Sequence, residues 1–266
     1  METIDISVYS LLLVFLLLAV PVILSWVYRL GLIKPLLTSA GRMTIQLVLI
    51  GIFLKYLFLW NNALINFLWL VVMILVAVFS AIRGSSMKPG KILVPVFVSF
   101  AFATFAVIFY VNIFVIRLDH IFDARYLIVL GGMLLGNSLR GNIVGIDTFY
   151  KSLWKDAKKY LYVLSLGATC HEAARPYMKE SIRLALKPTI ASMATIGIVA
   201  LPGMMTGVIL GGASPEVAIK YQIMIMISIV VSTIISVLLT ILMTSRACFT
   251  KYGILRSDIF LNKNNV

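Results

Sequence analysis

Seven stretches of this chain are long and apolar enough to cross a bilayer, which leaves few folds open. They lie at 8–28, 43–60, 65–82, 92–116, 125–147, 189–211 and 221–247. A hydrocarbon core takes about 17–25 apolar residues per helix. Inside it every backbone N–H and C=O must be paired within the protein, so spans of this length are helices. Hydrophobic residues make up 61% of the 266 and charged residues 12%, more apolar surface than a soluble domain can bury. The expected fold is an all-α polytopic membrane protein with about seven transmembrane helices. With spans spread along the whole chain, 1–266 reads as one transmembrane domain in the lipid bilayer.

The net charge of +13 does not point to nucleic acid, because the basic residues are scattered over the connections between apolar runs. With the N-terminus outside, nineteen Lys and Arg fall on the inner side. These are Arg29, Lys34 and Arg42; Arg83, Lys88 and Lys91; nine from Arg140 to Lys187; and Arg246, Lys251, Arg256 and Lys263. Three fall outside (Arg117, Arg125, Lys220), and Lys55 lies within a span, placed to snorkel. This asymmetry predicts an outside N-terminus and a cytosolic C-terminus. Glu2 and Asp5 precede any Lys or Arg, unlike a cleaved leader, so the first span is expected to be retained. Cys170 and Cys248 are too few for a disulfide framework or a zinc site.

The cytosolic segment 148–188 is the sizeable polar part. No proline occurs between Arg117 and Pro176, so the fifth span can continue as a helix into the cytosol. Residues 149–161 are amphipathic, with Phe149, Leu153, Trp154, Ala157, Tyr160 and Leu161 opposite Lys151, Lys155, Lys158 and Lys159. Such a helix suits the membrane surface, a partner or a second copy equally. Gly167 then breaks the helix, and Thr169 with Glu172 fits a capping box opening a helix over 170–186. The box alone describes an ordinary capped loop helix as well as a docking element. A second break is expected at Pro188, where the sixth span begins. Pro202 removes a backbone donor and Gly203 adds freedom, so that span should kink or unwind around Pro202, Gly203, Met204, Met205, Thr206 and Gly207. An interrupted helix inside a bilayer needs protein or water to meet its freed carbonyls, which favours a pathway or gate; packing alone is the competing explanation.

From Gly167-Ala-Thr through Glu172-Ala-Ala-Arg-Pro176, Ile182-Arg-Leu-Ala-Leu-Lys-Pro-Thr-Ile190 and Leu201-Pro-Gly-Met-Met-Thr-Gly207 to Tyr221-Gln-Ile223, the chain closely resembles the FetB-like family. These are membrane subunits of a bacterial iron-export ABC transporter, related to plant aluminium-tolerance proteins. The resemblance covers nearly the whole chain and is densest from Asn137 to Phe249. It implies a permease in the bacterial cell membrane, working as two copies with two separate ATP-binding cassette ATPase subunits that carry the ATP and Mg. Gly167, Thr169, Glu172 and Arg175 would couple to the ATPase. Glu172-Ala-Ala also looks like the start of the coupling motif of ABC importers, but Met178 stands where those have glycine.

Other chemistry is weaker. Gly90-Lys91 lacks both the earlier glycine and the following hydroxyl residue of a phosphate-binding loop, so this chain is not expected to hydrolyse ATP or to be an enzyme. Asp123-Ala-Arg125 lacks the remaining aspartates of CDP-alcohol phosphotransferases. Asp119, His120 and Asp123 form an outer group whose ligand types suit iron or manganese, although a solvated loop reads the same way. The scattered methionines are more often packing than Cu(I) ligands. A self-sufficient secondary transporter is the alternative function, disfavoured by the few ionisable residues in the spans.

The charge asymmetry makes a direct prediction. In intact cells, Ser152→Cys should stay unlabelled by a membrane-impermeant thiol reagent, while a cysteine at 61–64 should label. Labelling at 152 from outside would sink this topology.

Overall fold

A computed structural model describes residues 7–85, 87–199, 201–250 and 253–256. Of the charges used above, Glu2, Asp5, Lys251 and Lys263 lie outside these residues. The described chain is helical: α1 (Val8–Leu16), α2 (Ala19–Val27), α3 (Ile33–Trp60), α4 (Ala63–Gly84) and α5 (Pro89–Tyr110) come first. α5 runs on into a π-helical end, Val111–Ile116. There follow α6 (Ala124–Lys155), α7 (Ala157–Ser165), α8 (Cys170–Thr195), α9 (Gly203–Leu210) and α10 (Pro215–Cys248). Six stretches are long and apolar enough to cross a membrane: Tyr9–Val27, α3, α4, Ile92–Ile116, α6 and α10. The protein is a multi-pass, all-α membrane protein.

The core is built by α4, α5, α6, α8 and α10, while α1 to α3 lie at its edge with most side chains exposed. α6 and α10 run parallel in close contact. Ser138 Oγ lies 3.3 Å from Ser232 Oγ. Asn142 Nδ2 donates to Ser236 Oγ at 2.7 Å, and Tyr150 OH donates to Thr244 Oγ1 at 2.7 Å. Each pair is 94 residues apart, so one i, i+4 ridge of α6 meets one ridge of α10 in constant register. Gly141 and Gly145 make the approach possible. A Cβ on Gly141 would lie 2.5 Å from Thr233 Cγ2, and one on Gly145 2.7 Å from Val237 Cγ1. Lipid tails are as apolar as leucine, so close packing and interhelical hydrogen bonds supply the association that water would drive elsewhere.

Polar side chains also tie the end of the bundle that carries the 61–62 and 117–123 connections. Asn61 adopts the left-handed conformation that ends α3, and its Oδ1 accepts from Ala124 N at 2.9 Å. Asn66 Nδ2 donates to Phe122 O at 2.9 Å, and Asn112 Nδ2 to Ile121 O at 2.9 Å.

Several expectations from the sequence are corrected. The first span is split at Leu17–Leu18, one turn before Pro21, whose missing N–H leaves a gap in the ladder. α8 does not break at Pro188 and does not end at 186. It runs unbroken to Thr195, held along α6 by buried Ser181, Ala185 and Leu186. The stretch 189–211 is consequently not a single helix but the end of α8, a turn, and the short α9. The interruption begins at Gly197 (φ 88°) rather than at Pro202, which stands as the N-cap of α9. Proline disfavours helical geometry in the residue before it, so α9 starts afresh behind Pro202. The amphipathic 149–161 is two helices hinged at Asp156, and its apolar face is divided: Phe149, Leu153 and Tyr160 are each no more than 2% exposed, while Trp154 and Leu161 stay at the surface.

The close α6–α10 contact is testable by crowding it. Gly141→Val should lower stability by about 1–3 kcal/mol through overpacking, whereas Gly136→Val, whose Cβ meets open space, should be near neutral. Reversible unfolding in mixed detergent micelles reads the difference, and equal effects would contradict this packing.

Candidate functional site

Two places carry functional features, one at mid-span and one at the end of the bundle where α7 and α8 meet. The mid-span feature is a cavity of about 440 Å³ between α6, α8, α9 and α10. α6 contributes Met133, Asn137, Arg140 and Val144, and α10 contributes Gln222, Ile225, Met226 and Ile229. The broken span closes it with Pro188, Thr189, Ser192, Ile196, Pro202 and Met204. Arg140 is near the midpoint of the 32-residue α6, where an ionisable residue in a bilayer faces protein or a water-filled space. Among the described residues no carboxylate lines the cavity, and the nearby Asp147 is paired with Lys151 at 3.0 Å. Asn137 Nδ2 is held by Met133 O at 2.9 Å, which turns the carboxamide along α6.

The site residues expected around the interruption separate. Pro202 and Met204 line the cavity; Gly203, Met205, Thr206 and Gly207 do not. Thr206 Oγ1 donates back to Gly203 O at 2.8 Å, so its hydroxyl serves the first turn of α9. A Cβ on Gly207 would meet nothing within 4 Å, so no close helix approach within the chain depends on it. Asp119, His120 and Asp123 do not converge. Asp123 caps α6, accepting from Arg125 N at 2.9 Å and from Asn61 Nδ2 at 3.4 Å, and no group of three metal-ligating side chains forms among the described residues.

Arg140, Asn137 and Gln222 went unnoticed as site residues in the sequence, and the charge tally placed Arg140 with a loop. Their signal was present. A polar residue inside an apolar run must find a partner or water, and all three fall within expected spans.

At the other place the capping box forms in full. Thr169 Oγ1 accepts from Glu172 N at 3.3 Å, and Glu172 Oε2 accepts from Thr169 N at 2.8 Å and from Thr169 Oγ1 at 2.7 Å. These backbone and side-chain hydrogen bonds hold the Glu172 carboxyl below its ordinary pKa. Gly167 turns the chain ahead of it with φ 95°, and Arg175 is exposed one turn on. The chain's last described residues close over this end. Phe249 bridges Leu255, Arg256 N donates to Cys248 O at 3.0 Å, and Tyr160 OH donates to Gly253 O at 3.0 Å. Burial and the neighbouring Cys170 push the Tyr160 hydroxyl pKa well up, so it remains a donor.

Residues 8–249 match a family described as an uncharacterised protein family, UPF0014. The probable iron export permease protein FetB of Escherichia coli is 34% identical over 230 residues, 85% of each chain. The UPF0014 membrane protein STAR2 of rice is 33% identical, over 78% of this chain and 72% of its own. The protein ALUMINUM SENSITIVE 3 of Arabidopsis thaliana is 33% identical, over 77% and 74%. No solved structure matches.

The capping box predicts a pH response. Because the folded-state pKa of Glu172 is lowered, its contribution is complete above the ordinary glutamate range. It should fade as pH falls through the lowered value. Thr169→Ala should weaken the start of α8 by about 1 kcal/mol. The protection factors of the Ala173 and Ala174 amides should fall with this change and with acidification, and protection indifferent to both would show that the cap does not hold this turn.

Proposed function

This chain belongs to the UPF0014 family of membrane proteins, and from that membership we propose that it is the permease subunit of an ABC transporter exporting a metal, iron first among the candidates. The observation that carries the reading is the broken span, α8 and α9, which lines a mid-bundle cavity with one end and presents a capped helix start at the other. The relatives include a probable iron export permease and plant proteins named for aluminium sensitivity, which puts a metal cargo ahead of other solutes. In this reading the Thr169 end faces the cytosol. The exposed Gly167–Arg175 turn receives the push of a separate ATPase that binds ATP and Mg, and two copies of the chain pair with two copies of that ATPase.

α8 supplies the lever. It is one continuous helix, Cys170–Thr195, with Pro176 and Pro188 inside it, so a displacement at its first turn is carried along it toward Ser192. The joint comes after it, at Gly197, where the left-handed backbone and the turn Thr195 O to Val199 N (3.0 Å) separate α8 from α9. ATP binding would then bias the bundle between two openings of the cavity. A self-sufficient secondary transporter is the second reading, because interrupted helices at mid-membrane also serve those folds.

Efflux from proteoliposomes separates the two. With the ATPase present, iron movement should require ATP and ignore imposed ion gradients; gradient-driven movement without the ATPase would favour the second reading. Thr169→Ala with Glu172→Lys should abolish transport-stimulated ATPase activity, the lysine also placing positive charge at the positive end of the α8 dipole. Gly197→Val, forced into left-handed backbone at a cost of about 1–2 kcal/mol, should slow efflux while the protein still inserts. Normal rates in both variants would remove the coupling role of this span.

A further inference from the structure

The charge and hydrogen-bonding character of the mid-span cavity constrain what can occupy it. A bare di- or trivalent cation is held by carboxylates, imidazoles or thiolates, and the described lining has none. It has a guanidinium instead, from Arg140, with no carboxylate partner among the described residues. Gln222 is 6% exposed and the atom it leaves unpartnered is Oε1, an acceptor, so an oxyanion finds its donor in Arg140 rather than in this carboxamide. The start of α9 lies on the same wall at Pro202 and Met204, and its first turn has no side-chain cap. Its free N–H groups and positive dipole end favour negative charge. An arginine fork and an uncapped helix start line the same cavity and favour an oxyanion there, beside Met133, Met226 and Ile225.

We propose that the cargo crosses as an anion, a metal enclosed in a polycarboxylate chelate, and that Arg140 is its principal contact. The inference rests on the permease reading above and specifies the form in which the metal is carried. Enclosure in carboxylate ligands resolves the mismatch between a metal cargo and a cavity without metal ligands. The ligands' outer oxygens face Arg140, and the metal never touches the protein. The monodentate, compact charge of lysine satisfies less of a carboxylate than the planar arginine fork does, so Arg140→Lys retains part of the function and Arg140→Gln little.

The test uses inside-out proteoliposomes holding the permease with its ATPase, and follows ATP-dependent accumulation of radioactive iron. It is offered as iron(III) with excess citrate, or as iron(II) in anaerobic buffer free of chelator. Iron–citrate should accumulate at least tenfold faster than the free ion. Arg140→Gln should reduce chelate transport tenfold or more, with Arg140→Lys recovering part of it, which separates loss of the contact from misfolding. Equal or faster accumulation of the free ion, or unchanged chelate transport in Arg140→Gln, would overturn this inference and leave the permease standing. Radioactive citrate moving equally well without metal would reassign the cargo to the organic anion and overturn the chelate. No ATP-driven movement of iron in either form would overturn the iron-permease reading itself.

Discussion

The contact between α6 and α10 is the constraint on which the rest of the bundle hangs. Two long helices lie parallel with hydroxyl and carboxamide groups facing across the seam, from Ser138–Ser232 to Tyr150–Thr244. In hydrocarbon these groups have no water to fall back on, so the register that pairs them is favoured over a slipped one. α8 then packs into the groove beside the seam, with Ala185 against Gly141 and Gly145. The cavity lies where α8 runs out and α9 has yet to begin. Its position is thus set by the seam: Arg140 adjoins Gly141 on α6, and Ala185 reaches the wall from α8.

The two functional places are joined by one helix and differ in how firmly they are held. At the Thr169 end the capping box holds the first turn of α8, and beside it Tyr160 of α7 is tied to the chain's tail through Gly253 O. At the cavity end the same helix runs into a turn whose Ile198 is 91% exposed and whose Val199 is 78% exposed. A rigid start and a loosely held finish are what a transmitted displacement requires, since motion collects where packing is thinnest. Large exposed apolar side chains on that turn also leave it free to rest on lipid or on another copy of the chain.

Membrane class was legible from the apolar runs, because a span of twenty apolar residues has no other stable state in a bilayer, whereas the count of seven was not: six stretches are long and apolar enough to cross and 189–211 is broken. The cap at Thr169 was equally legible, since its chemistry is local. What the sequence concealed was decided by neighbours distant along the chain. Pro188 reads as a breaker, yet packing along α6 carries the helix through it. Gly197 reads as one more small residue, yet it hosts the left-handed turn. The face 149–161 reads as a membrane or partner surface, and only the fold shows that its Phe149, Leu153 and Tyr160 are already buried within the chain. The repeat Ser228, Ser232, Ser236, Thr240 and Thr244 at four-residue spacing was visible in the sequence and would have marked the seam, since all five are buried.

The constant offset of 94 residues along the seam also has a consequence for biogenesis. Asn142 leaves the ribosome well ahead of Ser236, by roughly 5–20 seconds at ordinary rates of synthesis. During that interval the Asn142 carboxamide has only its bond within α6, to Ser138 O at 2.8 Å, and lacks the bond across the seam. That bond forms only once α10 arrives. The seam that stabilises the mature bundle therefore makes its assembly a late, cooperative event, completed by the last long helix.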